Sequence, residues 1–234
     1  DIAARTGALR PARILETAAG TGIVTVALIE EAGEAEIVAT DLNQAMLDVA
    51  AKRIESPRVR FEQADAQSLP YDDGCFDAVI CQFGAMFFPD RIAAYREARR
   101  VLKPGGRLLF NVWDGLDSNP VTAAVAAAVA GLFPEDPPGF FERVPFGYQD
   151  KARIETDLRA AGFGVIMAET VVESSRVNAS AAATGLVEGT PLRAEIETRD
   201  PGRLADATEA AAAALARFDG REAPMSAHVF SAGV

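Results

Sequence analysis

"ILETAAGTGIVTVAL", residues 14–28, joins an apolar run to a helix-like segment with no polar gap between them. The run "ARILETA" (12–18) has a branched aliphatic centre, the pattern of a strand buried in a parallel sheet. It carries an acid at Glu16, and two glycines follow, Gly20 and Gly22. "GIVTVALIEEAG" (22–33) then reads as a helix stopped at Gly33. Glycine at a strand-to-helix turn reaches dihedrals closed to other residues and lets a ligand approach the backbone. Nucleotide-binding sheets seat their cofactor at such a turn. A glycine pair alone also serves an ordinary tight turn, so the rest of the chain decides.

Further along, "EIVATD" (36–41), "RVRFEQAD" (58–65), "FDAVICQF" (76–83) and "RLLFNVW" (107–113) read as strands. Helices lie between some of them. Asn43 is placed to cap one, with Leu47, Ala50 and Ile54 on its inner face and Pro57 ending it. Asp90 caps another, with Ile92, Tyr95, Ala98 and Leu102 inward and Pro104-Gly105-Gly106 as its stop. This alternation predicts an α/β fold with a parallel, doubly wound sheet, whose ligands bind at the carboxyl ends of its strands. The second half is less regular. It reads as an alanine-rich helix (120–132), a helix capped by Asp150 and stopped at Gly162, and a long strand (165–177). Mostly helical pattern follows, then a closing strand (225–233).

Composition narrows the function. The chain has 234 residues, with 23 basic against 34 acidic, a net charge of −11. That disfavours a nucleic-acid or anionic-membrane partner. The two cysteines, Cys75 and Cys81, make no disulfide framework and suit a reducing, cytoplasmic setting. A single histidine, His228, argues against a histidine-rich metal centre. Val121–Phe133, the most apolar long stretch, is too short to cross a bilayer. The opening "DIAARTGALR" reads as mid-helix, so residues upstream of it are expected.

Glu16, Asp41 and Asp65 stand at or next to the ends of the first three strands, and so share one edge of the sheet. Asp41 follows Gly22 by 19 residues, a spacing that suits an acid for ribose hydroxyls. A dinucleotide would want a third glycine where Thr25 stands, and three carboxylates would repel its pyrophosphate. They suit a ligand with a ribose, a positive centre and no phosphate. S-adenosylmethionine is such a ligand.

Residues 12–114 resemble, in order, the class I S-adenosylmethionine-dependent methyltransferases of the UbiE-like, small-molecule branch. Glu16-Thr17-Ala18-Ala19-Gly20-Thr21-Gly22 resembles the first motif, with Ala18 where the first glycine usually stands. "VATDLNQAMLDVA", "EQADAQSLPYDDGCFDAVICQFGAMFF" and "EARRVLKPGGRLLFNVW" resemble the later ones. The resemblance implies a Rossmann-like seven-stranded sheet, mostly parallel with an antiparallel last strand, plus helical lid insertions. It implies one domain over 1–234, a cofactor core at 12–114, and lids at 115–149 and 179–223. Glu16, Thr17, Ala18, Gly20, Thr21 and Gly22 would form the cofactor loop, with Glu16 holding the cationic methionine end directly or through water. Asp41 would take the ribose, Leu42 and Met46 would line the adenosine, and Asp65 and Ala66 would bind the adenine. Gln82 and Phe83 would lie near the methionine part.

A methyl transfer to an oxygen, nitrogen or carbon of a small-molecule acceptor follows, with no metal. A general base is hard to find. His228, which reads first as a partly exposed strand residue, and Tyr148, which reads first as packing, are the weak candidates. Asp114 reads as a turn cap on the correct edge. The aromatics at 83–88, Phe140, Phe141 and Phe146 are candidates for an acceptor wall. Two rivals stay open: an NAD-dependent oxidoreductase, and a non-catalytic S-adenosylmethionine-binding domain. The acceptor and the oligomeric state, a homodimer included, are not legible.

Overall fold

A computed structural model describes residues 1–234. The chain divides into two compact units: residues 1–112, 150–169 and 228–234 in the first, and 113–149 and 170–227 in the second.

The first unit opens with α1 (Ile2–Ala8), β1 (Arg13–Glu16), α2 (Ile23–Glu31), β2 (Glu36–Asp41) and α3 (Gln44–Arg53). Then come β3 (Val59–Gln63), β4 (Phe76–Gln82), α4 (Arg91–Val101) and β5 (Leu102–Trp113). The second half holds α5 (Pro120–Gly131), α6 (Phe140–Arg143), α7 (Lys151–Ala160) and β6 (Val165–Arg176). It ends with α8 (Ala179–Val187), α9 (Leu192–Arg199), α10 (Leu204–Leu215) and β7 (Glu222–Gly233). No helix is long and apolar enough to cross a membrane.

Seven strands form one sheet in the order β3-β2-β1-β4-β5-β7-β6. β1 pairs in parallel with β2 and β4, β2 with β3, and β4 with β5. β7 runs antiparallel to β5: Val234 N–H meets the Gly106 carbonyl, while Asp114 N–H meets that of Ser226. The order steps outward from β1 in both directions, so the β1 and β4 carboxyl ends form the switch point where such sheets open a crevice.

The core of the first unit explains why the apolar runs are strands. Ile14, Ile37, Ala78 and Ile80 pack with Leu28 of α2, all with essentially no exposure. Burial on both faces is what continuous aliphatic runs in a parallel sheet provide. Phe110 of β5 stacks on Phe230 of β7, ring centroids 5.0 Å apart. The start of β1 is fastened by Asp77, whose carboxylate accepts from the Ala12 and Arg13 N–H groups and pairs with Lys103 at 2.7 Å.

Asn43, Asp90 and Asp150 each accept a backbone N–H at the head of their helix, as their positions predict. Several boundaries differ from expectation: β1 and β3 are shorter than their predicted runs, and β7 begins at Glu222 rather than at 225. α4 ends at Val101, and β5 already begins at Leu102, before the Pro-Gly-Gly segment. The strand passes through that segment beside a register shift opposite Phe76 and Ala78, so an irregular pairing accommodates the proline. α2 ends at Glu31 with Ala32 as its cap, two residues short of Gly33.

The second unit has its own core, in which Val125, Val129, Phe141, Ala183, Ile196 and Leu215 are buried. Phe140 and Phe146 belong to it too. These three phenylalanines are therefore interior packing and not an open acceptor wall.

Candidate functional site

The first unit's site begins where β1 ends. Thr17 N–H donates to the Ile80 carbonyl at 2.8 Å, and Ala19 N–H to that of Thr40 at 2.9 Å. The loop after β1 is thus bonded to β4 on one side and β2 on the other. Three of its residues take the left-handed region: Ala18 (φ 53°), Gly20 (φ 57°) and Gly22 (φ 81°). Gly22 is the N-cap of α2. A Cβ there would stand 2.6 Å from Ile54 Cδ1, so glycine also lets the loop lie against α3. Met46 Cε is the nearest group to a Cβ built on Gly20, at 3.5 Å.

Asp41, the last residue of β2, ties this loop to the next. Its Oδ2 accepts from Gly20 N–H and its Oδ1 from Asn43 N–H, each at 2.8 Å. One bond per oxygen leaves acceptor capacity on both. Asp65 is held similarly: its Oδ1 accepts from Gln67 N–H at 2.8 Å. Leu42 (67% exposed) and Met46 (39%) present apolar surface beside Asp41. Thr21 and Ala66 are partly exposed on their loops, and the Thr21 carbonyl faces Arg53 Nη1 at 3.5 Å.

Glu16 sits differently. It is 2% exposed, and its Oε2 accepts from the Thr25 hydroxyl at 2.7 Å. Burial pushes its carboxyl up from 4.5 to about 8; the Thr25 bond works against that shift, and the nearby Asp41 charge adds to it. Thr25 stands where a dinucleotide fingerprint wants its third glycine. In this chain that position serves the acid.

The opposite lip comes from β4 and β5. Gln82 ends β4, half-buried, opposite Asn111. Phe83 follows in the left-handed region (φ 52°), and its N–H donates to Asn111 Oδ1 at 2.9 Å. A bulky residue in that region is strained and persists where its neighbours over-determine it. Gly84 comes next. A Cβ on it would lie 2.5 Å from Ala18 Cβ and 2.9 Å from Cys81 Sγ. The methyl of Ala18 thus fills the space that the bare Gly84 leaves.

Residues 14–106 match the family model described as a methyltransferase domain. A demethylmenaquinone methyltransferase of Deinococcus radiodurans is 40% identical over 125 residues, 53% of this chain and 50% of its own length. A ubiquinone/menaquinone biosynthesis C-methyltransferase UbiE of Idiomarina loihiensis is 39% identical over 124 residues, 51% of this chain and 48% of its own. The chain therefore spans about half the length of the curated relatives it matches, and the likeness is of the class I, UbiE-like type. Among solved structures, the 4+2 cyclase SpnF is 22% identical, with a TM-score of 0.60 over 98% of this chain and 81% of that one. That likeness concerns the fold.

The matched segment brings Glu16, Thr17, Ala18, Gly20, Thr21, Gly22 and Asp41 to one edge of the sheet, with Asp65, Gln82 and Phe83 following their strands to the same edge. Asn111 was legible as a lone amide inside the apolar run "LLFNVW", a polar residue that a buried strand tolerates only with a partner. Thr25 carried the same signal inside an apolar helix.

The candidate bases are enclosed. His228 on β7 is 5% exposed, against the partly exposed position expected of it; Val229 and Phe230 after it are buried too, and as successive strand residues face opposite ways, both faces of β7 are covered here. Tyr148, in the second unit, is 1% exposed. Asp114 is a structural turn residue, accepting from Gly115 N–H and from the Ser226 hydroxyl at 2.8 Å.

Proposed function

We propose that this chain transfers a methyl group from S-adenosylmethionine to a small-molecule acceptor, with the first-unit crevice as its cofactor site. The observation that carries the reading is the Asp41 carboxylate. It is anchored to both loops of the crevice by one backbone N–H per oxygen, and it keeps lone pairs for two ribose hydroxyls. Glu16 beside it is buried and keeps its proton up to about pH 8, at the head of α2, where a phosphate-binding fold keeps glycines and free N–H groups. An adenosine with a cationic amino-acid tail fits the Asp41 carboxylate; a pyrophosphate does not.

S-adenosylmethionine, when bound, supplies a methyl already activated by its sulfonium. This chain's residues then have positioning roles. Gly20 and Gly22 admit the ligand to the backbone. Asp41 takes the ribose, with Leu42 and Met46 covering the adenosine, and Asp65 and the Ala66 N–H take the adenine edge. Ala18 and Phe83, both held in strained conformations, fix the loops around the methionine part. Such alignment, with water kept out, supplies most of what an in-line displacement asks of a protein.

The relatives named for demethylmenaquinone make that compound the first acceptor to assay. Calorimetry on the full chain tests the reading. S-adenosylhomocysteine binds in the micromolar range and NAD does not. Binding of NAD without S-adenosylhomocysteine would sink it. The non-catalytic rival is met by methyl-label transfer across an acceptor panel, where total absence of product with intact cofactor binding would favour that rival.

A further inference from the structure

The second unit holds a cavity of about 490 Å³. Its wall is Trp113 at the end of β5, the first turn of α5, one side of α8, the end of β6 and the start of β7. Val121, Ala182, Leu186 and Met225 give it an apolar lining, and Thr122 and Ser175 add hydroxyls. Size and lining match those of small-molecule sites, about 300–1,000 Å³ and largely apolar with a few polar groups.

Arg176 is the one charged residue on that lining. Its Nε donates to the Gly220 carbonyl at 3.0 Å, and its terminal nitrogens form no ion pair. The chain has 34 acids against 23 bases, and Arg143, Arg193 and Arg199 of the same unit each pair with a carboxylate. An arginine kept apart from carboxylates beside an apolar wall is a position suited to an anion. Two acids of the adjoining segments are engaged elsewhere. Asp219 accepts from Ala179 N–H at the head of α8, and Asp114 holds Ser226. α5 begins at Pro120 with no side-chain cap, so its first-turn N–H groups, at Val121 and Thr122 on the lining, have no side-chain acceptor.

We propose that this cavity binds a small organic anion, with its apolar body against Trp113, Leu186 and Met225 and its carboxylate, or an equivalent group, on Arg176. The binding does not rest on the methyl-transfer reading.

Trp113 is the only tryptophan of the chain and lines the cavity, so its emission reports occupancy. The full chain, without nucleotide, is titrated with decanoate, 1-decanol and decylammonium, none of which absorbs where tryptophan is excited. Decanoate shifts the emission saturably and binds about tenfold tighter than 1-decanol, the difference a charge-assisted contact makes. Decylammonium binds weakest. Arg176→Gln brings decanoate to the level of 1-decanol and leaves 1-decanol unchanged. Ala181→Leu, which fills the cavity from an exposed helix position, weakens both with the circular dichroism unaltered. No saturable response to decanoate, or equal decanoate affinity in wild type and Arg176→Gln, overturns the proposal. S-adenosylhomocysteine binding measured in parallel keeps the two claims apart. Its loss with decanoate binding intact counts against methyl transfer alone, and the converse counts against the cavity alone.

Discussion

Replacing Glu16 by glutamine stabilises this protein at alkaline pH and not at acidic pH. The reasoning starts from burial: the carboxyl is 2% exposed and its ionisation is moved from 4.5 to about 8. Below pH 4.5 the group is protonated in both folded and unfolded chains and costs nothing. Between 4.5 and about 8 only the unfolded chain releases the proton, so stability falls as pH rises; above about 8 the loss levels off. At about 1.4 kcal/mol per pH unit, the ceiling is about 5 kcal/mol, and at pH 7 about 3 kcal/mol. Water entering the loop lowers both figures. Glutamine keeps an oxygen for the Thr25 hydroxyl and has no proton to lose. The assay is urea unfolding by circular dichroism at pH 5.5 and 8.5, comparing the two proteins at each. The glutamine variant gains at least about 2 kcal/mol relative to wild type between those values. A difference that stays constant with pH would show that Glu16 is ionised in the folded state, and the buried-acid account would fail.

Asp41→Ala weakens S-adenosylhomocysteine binding by more than about 1 kcal/mol, because a charge-assisted ribose contact and the Gly20 anchor go together; calorimetry reads it, and wild-type affinity would count against the ribose role. Gly84→Ala costs about 1–3 kcal/mol in urea unfolding, since its Cβ would meet Ala18 and Cys81. The double variant with Ala18→Gly recovers about 1 kcal/mol of that; strict additivity would separate the two sites. Asn111→Ala loses about 1 kcal/mol and weakens cofactor binding in calorimetry, because Phe83 is released from its strained turn. The affinity ratio of S-adenosylmethionine to S-adenosylhomocysteine rises with pH from about 6 to 9, as Glu16 ionises and attracts the sulfonium; in Glu16→Gln the calorimetric ratio is flat.

Much of this site was legible because strand ends in a parallel sheet line up. Once the apolar runs are read as strands, Glu16, Asp41 and Asp65 must share an edge, and the glycines between strand and helix mark its ligand side. What was not legible is pairwise and non-local. Ala18 reads as a departure from a glycine motif; its fit against Gly84, 66 residues later, needs both loops in place. Glu16 reads as a ligand-facing acid, but the Thr25 hydroxyl turns it inward. The Pro-Gly-Gly segment reads as a stop, and the strand runs through it, because pairing with β4 overrides the local turn preference. The aromatic pairs of the second half carry no period that separates packing from pocket.

A crystal structure of the full chain with S-adenosylhomocysteine tests the central claim most directly. The account predicts both ribose hydroxyls within about 3 Å of the Asp41 carboxylate, with the adenine beside Asp65 and Ala66 and the amino-acid tail along Gly20. Density for the ligand elsewhere, or an Asp41 carboxylate turned away from the ribose, would contradict it.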